Sequence, residues 1–284
     1  MNKWDSQREA NITAFLEDDD FVTKRNFFFK MCQALDNNAI EWNLFCSCSL
    51  FFAGITDEFN DFDILVKKSS FEDTKIILKD LGLTVKQEEI YGMQIDKEIS
   101  QEDASLLERF FEQNSNQKFN SNRYANLIGD GVDVDLISGF RVSAMNTKYF
   151  YEYNPAFVNK IQVGNLSIKI VAPEVQFILY AMMECWQPQR RFKRELIEEF
   201  LKDNGINKPK ILENSLSENI PGWIKKEIRM LLNWLSSNDR FKAGILIIPA
   251  FLFLLEYKRY YDFDKILKNL FSLNYLKTKF KKFV

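Results

Sequence analysis

The sequence predicts an α+β protein: a mixed-sheet domain over residues 1–171, then an all-helical domain over 172–284. Three observations lead there. Two distant stretches, Asp61-Phe62-Asp63-Ile64-Leu65-Val66 and Val132-Asp133-Val134-Asp135-Leu136, alternate apolar and acidic residues with a period of two, the signature of a strand with one polar face. Glycine-punctuated strand pairs recur up to residue 171, including a hairpin around Gly164-Asn165. Beyond Ala172-Pro173-Glu174, with Pro at a first helical turn and an acid beside it, the apolar spacing becomes helical.

Composition narrows the chemistry. The chain has 284 residues, 46% hydrophobic and 27% charged, the profile of an ordinary soluble globular protein with a substantial core. A net charge of -2 gives no general pull toward nucleic acid, so a nucleic-acid partner is not favoured. There is no histidine, which removes His triads, His general bases and His-ligated zinc and leaves carboxylate and metal chemistry. Cys32, Cys46, Cys48 and Cys185 fit neither a zinc knuckle nor a disulfide framework, and reduced thiols point to the cytoplasm. The N-terminus lacks the apolar core of a signal peptide. The longest apolar run, 243–255, is too short to span a bilayer and contains Pro249, so no membrane role is expected.

Taken in order, residues 20–35 read as a helix with Asp18, Asp19 and Asp20 at its N-terminal end, where the dipole favours acids. Residues 40–45 read as a strand. Cys46-Ser47-Cys48-Ser49 is a small-residue turn opening a short helix that Gly54 ends. A helix follows from Ser69-Ser70 to Leu81, stopped by Gly82, then one or two strands over 83–100 broken near Gly92. A helix over 101–113 and a polar loop over 114–122 lead to strands at 124–128 and 132–137, joined at Gly129-Asp130-Gly131. The pattern loosens after Gly139. Helices are expected near 173–186, 190–204, 221–236, 241–257 and 262–272.

On a strand, residues i and i+2 lie about 6.5 Å apart along the chain, so Asp61 and Asp63 repel each other unless solvated or bridged by cations. Mg²⁺, which takes one or two carboxylates plus water and phosphate oxygens, is a natural bridge. The ordered set of Phe45-Cys46-Ser47, a spacer, Asp61-Phe62-Asp63-Ile64 and a later acidic strand resembles the nucleotidyltransferase superfamily that includes DNA polymerase beta and the aminoglycoside and lincosamide nucleotidyltransferases. The resemblance covers residues 40–140.

It implies that Asp61 and Asp63 hold two Mg²⁺ ions about 3.5–4 Å apart. Asp135 is the expected third carboxylate, because the run Asp135 to Phe140 looks more like the family's third motif, with Asp133 as neighbour or substitute. Cys46, Ser47, Ser49 and nearby backbone amides are expected to hold the phosphates. The implied reaction moves a nucleoside monophosphate from an NTP, ATP being favoured, to a hydroxyl of a small molecule and releases pyrophosphate. Transfer to a protein or tRNA acceptor, or a nucleotide- or partner-binding module without catalysis, are the alternatives. Cys46 departs from the family's glycine, which matters if that position needs positive φ.

Each residue also has a plainer use. Ser47 and Ser49 could cap the short helix, and Cys46 and Cys48 could be small buried hydrophobes. In the basic run Gln189-Arg190-Arg191-Phe192-Lys193-Arg194, Arg190 and Lys193 are expected to clamp the triphosphate, against the alternative of a solvated cationic face. The terminal run Lys277, Lys279, Lys281 and Lys282, interleaved with Phe280 and Phe283, reads as a basic amphipathic tail.

Overall fold

The computed structural model describes residues 2–95, 107, 119–144, 147–184 and 187–205. All of them fall within one compact unit, Met1–Ile228. The helices expected at 101–113 (apart from residue 107), 221–236, 241–257 and 262–272, Cys185, and the basic tail from Lys277 lie outside the described residues.

The chain opens with α1 (Lys3–Glu17), started by Asn2, whose side chain accepts from the Asp5 amide. Its buried residues are only Trp4, Asn11 and Phe15, too sparse for a legible apolar stripe, which is why periodicity alone does not reveal it. A 3₁₀ turn then leads into α2 (Val22–Asn37), followed by β1 (Trp42–Leu44), α3 (Cys46–Phe52) and β2 (Phe62–Val66). Gly54 takes φ 77, and a Cβ there would stand 2.6 Å from the Trp4 carbonyl oxygen. The missing side chain is what lets α1 lie against this turn.

Next come α4 (Phe71–Asp80), β3 (Thr84–Ile90) and β4 (Met93–Gln94), close to the expected positions. β5 (Phe119–Gly129) starts inside the stretch expected to be a loop. Asn120 and Ser121 read as loop residues by composition, but they ladder with Arg141 and Phe140 of β6 (Val132–Ala144), and pairing overrides propensity. For the same reason β6 runs seven residues beyond 137, and β7 (Thr147–Tyr151) pairs back onto it where the alternation fades. The expected hairpin is β8 (Val158–Val163) and β9 (Leu166–Val171), and the first two expected helices after it are α5 (Pro173–Met183) and α6 (Arg191–Asn204).

The strands form one mixed sheet in the order β4-β3-β5-β6-β2-β1-β9-β8, with β7 also on β6. Two neighbour pairs are parallel, β2 with β6 and β1 with β9; β1 and β2 run antiparallel. One face of β2 packs on phenylalanines: Phe62 stacks on Phe28 at 5.3 Å, Phe28 on Phe52 at 5.5 Å, and Phe15 meets Phe52 edge-on at 5.2 Å. Such pairs contribute about 0.5–1.5 kcal/mol each beyond simple burial, and here they join α1, α2 and α3 to the sheet. Asp61 and Asp63 are left to the other face.

Candidate active site

Parallel pairing of β2 with β6 sets Asp63 directly opposite Asp135. Both side chains, and Asp61 two residues before Asp63, therefore share a face. Carboxylate oxygens of Asp61, Asp63 and Asp135 all lie within 4.8 Å of one another. Asp63 is 7% exposed, while Asp61 and Asp135 are half-buried. Among the described residues, no lysine or arginine forms an ion pair with any of the three.

The electrostatics follow from that crowding. Burial, then the charges of Asp61 and Asp135, push the Asp63 carboxyl well above the ordinary carboxylate range, with Lys193 and Arg190 pulling it back. Asp135 is raised too, by burial first, against hydrogen bonds from Asn126 and Tyr124 that favour its ionised form. A group of three oxygen donors carrying uncompensated buried charge fits a hard divalent cation such as Mg²⁺.

β5, on the other side of β6, supplies two residues that the sequence reading did not single out. The Tyr124 hydroxyl donates to Asp135 Oδ1 at 2.7 Å, and Asn126 Nδ2 donates to the same oxygen at 2.9 Å and to Asp133 Oδ1 at 2.5 Å. Both therefore orient Asp135 through one of its two oxygens. The signal for them was present: counting back from the hairpin turn at Asp130-Gly131 pairs Asn126 with Asp135 and Tyr124 with Ile137. Asp133 stays outside the three-carboxylate group, bound to Asn126.

A solved structure assigned as a nucleotidyltransferase resembles this chain. It is a crystal structure from Thermotoga maritima, 17% identical over 62% of this chain and 91% of its own, with a TM-score of 0.40. The solution structure of the antibiotic-resistance factor ANT(2'')-Ia matches with 12% identity over 63% of this chain and 84% of its own, at a TM-score of 0.42. No protein-family model and no curated protein sequence matches the chain. At such identities the chemistry has to be read from the side chains.

Cys46 opens α3 with φ 46, a left-handed conformation that glycine adopts freely. In any other residue it costs about 1–2 kcal/mol, so the turn keeps its backbone path despite the side chain. Burial and the neighbouring Asp63 push the Cys46 thiol well up, so it is a poor nucleophile. Cys48 is buried, its thiol donating to the carbonyls of Phe45 at 3.2 Å and Asp63 at 3.7 Å. Ser47 is half-buried in the first turn of α3. Ser49 departs from the role expected of it. Its side chain is fully buried and its hydroxyl accepts from Gln176 Nε2 of α5 at 2.9 Å, so it joins two helices rather than capping α3 or facing a nucleotide.

Arg190, at the end of a 3₁₀ turn, and Lys193, in the first turn of α6, both act electrostatically on Asp63 and Cys46. Arg191 and Arg194 point elsewhere: Arg191 Nε meets Glu195 at 2.8 Å, and Arg194 Nε meets Glu184 at 2.6 Å. The basic run thus splits by helical spacing into two residues whose charges act on Asp63 and two engaged in ion pairs. No helix among the described residues is long and apolar enough to cross a membrane.

Proposed function

We propose that the protein is a Mg²⁺-dependent nucleotidyltransferase that moves a nucleoside monophosphate from an NTP, with ATP the favoured donor, to a hydroxyl of a small molecule. The observation that carries this reading is the meeting of Asp61, Asp63 and Asp135 from two strands far apart in sequence, with oxygens within 4.8 Å and no cation bonded to them among the described residues. In this role Asp61 and Asp63 would hold two Mg²⁺ ions and Asp135 would complete the second site. Bound Mg²⁺ supplies positive charge against the phosphate oxygens and the leaving pyrophosphate.

The chain's own groups do the rest. Arg190 and Lys193, whose charges reach Asp63, grip the terminal phosphates together with Ser47. Tyr124 and Asn126 keep Asp135 oriented toward the acceptor. The acceptor oxygen forms a bond to the α-phosphorus as the bond to the β-phosphate oxygen breaks; the electron pair leaves on pyrophosphate and the hydroxyl proton passes to Asp135 or solvent. Residues 1–171 carry the carboxylates, and the helical chain after 172 brings the cations. Buried free thiols at Cys32 and Cys48 accord with a cytoplasmic setting.

The test is pyrophosphate release by the full chain with Mg²⁺, each of the four NTPs, and panels of aminoglycoside, lincosamide, protein and RNA acceptors. Asp61→Asn and Asp63→Asn are each expected to lower turnover by about a thousandfold, the scale of losing one group that stabilises transition-state charge. Full activity in both variants would overturn the assignment.

A further inference from the structure

Among the described residues, one phenol on α5 is left without a partner. Tyr180 is 1% exposed, and its hydroxyl makes no hydrogen bond among the described residues. A buried hydroxyl in that state carries its full desolvation penalty, and folded proteins leave such groups chiefly where a ligand or an ordered water completes them.

Its location follows from a contact already described. The Gln176 to Ser49 hydrogen bond, 2.9 Å long, pins α5 against α3. Tyr180 lies one helical turn beyond Gln176 on the same face, and Cys46 lies about one turn before Ser49. The phenol therefore lies within about one helical turn of the contact between α5 and α3. Its electrostatic neighbours agree: Cys46, Asp63 and Arg190 all act on the Tyr180 hydroxyl, and burial holds it in the neutral, donating form. A neutral donor that feels both a carboxylate in need of a cation and an arginine suited to phosphate suits a polyphosphate oxygen.

We infer that the Tyr180 hydroxyl is a nucleotide-binding group that donates a hydrogen bond to a phosphate oxygen of the substrate held over Asp63 and Arg190. This rests on the transferase reading above. Phenylalanine keeps the ring and its packing while removing only the donor, so Tyr180→Phe separates binding from structure.

The experiment is calorimetric titration of full-length wild-type and Tyr180→Phe protein with Mg²⁺ plus inorganic tripolyphosphate, and with Mg²⁺ plus each NTP, alongside thermal unfolding of both without ligand. The expected result is binding weakened about tenfold or more, the effect of one hydrogen bond to a charged group, with the ligand-free Tm unchanged or raised. Equal binding by the variant and the wild type overturns this inference alone. So does a lower ligand-free Tm in the variant, which would mean that the hydroxyl has an internal partner. Wild-type protein that binds neither tripolyphosphate nor any NTP overturns the transferase reading and this inference together.

Discussion

Among the described residues the sheet carries two acidic clusters, one on each face, and they solve the same problem in opposite ways. On the α4 face, Glu88 of β3 and Glu72 of α4 surround Arg123 of β5. Arg123 bonds Glu88 at 2.6 Å and also pairs with Glu72, while Lys75 reaches Glu72 at 2.8 Å and Glu88 at 3.0 Å. The Arg123 guanidinium also lies 4.7 Å from the centre of the Phe71 ring. Two acids meet two bases, and the group is complete. On the other face Asp61, Asp63 and Asp135 crowd together with Lys193 and Arg190 acting on them without a salt bridge. Buried acidity is thus no signature of function in itself. What distinguishes the two clusters is whether the chain supplies the counter-charge or leaves that to something it binds.

The contrast is broken most severely by removing the internal counter-charge. Arg123→Met leaves Glu88 buried with a single cation, and unfolding in denaturant is expected to show a loss of about 3–5 kcal/mol, as for other broken buried pairs. The same loss is not expected from Asp63→Asn, which removes repulsion instead of attraction. Smaller is the effect of loosening the carboxylate that β5 holds. Tyr124→Phe and Asn126→Ala should each weaken Mg²⁺ binding by about 10–100-fold, measured by calorimetry without nucleotide, since each takes one orienting bond from Asp135.

The gentlest probe is pH, where the two faces have opposite signs. Asp63 and Asp135 titrate above their ordinary values when folded, so the stability they contribute is fully present in acid and is lost as pH rises through those folded values. For Glu72, burial alone would raise the carboxyl, but Lys75 and Arg123 together hold it below the usual range. Its contribution is present above the ordinary carboxylate value and is lost as pH falls. Metal-free Asp63→Asn should therefore gain on the wild type as pH rises in thermal unfolding, and saturating Mg²⁺ should erase that gain. A difference that is flat with pH would mean that the carboxylates do not repel each other in the folded protein.

The carboxylates were legible because strand alternation is short-range: Asp61 and Asp63 declare a face from their own neighbours, and the hairpin turn at Asp130-Gly131 does the same for Asp133 and Asp135. Pairing is what separated the last two, since Asp135 and not Asp133 stands opposite Asp63. Residues whose meaning depends on a distant partner were harder to read. Asn120 and Ser121 looked like loop until β6 paired with them, Ser49 looked like a cap until Gln176 met it, and α1 shows too few apolar residues to betray a helix. Tyr180 sits in a helix whose residues are all buried, so nothing local marks one phenol among them. The chain after Gly205 lies outside the described residues, and with it the remaining helices expected in the 172–284 domain.

The five backbone pairings from Phe62↔Val134 to Val66↔Ser138 have one more implication. Sliding either strand by a single residue would swing its acids into the phenylalanine layer and bring Phe62, Ile64 and Val66 of β2, or Val134 and Leu136 of β6, up in their stead. Whatever binds there should consequently act as a clasp across β2 and β6, slowing hydrogen exchange at those amides as soon as it is added.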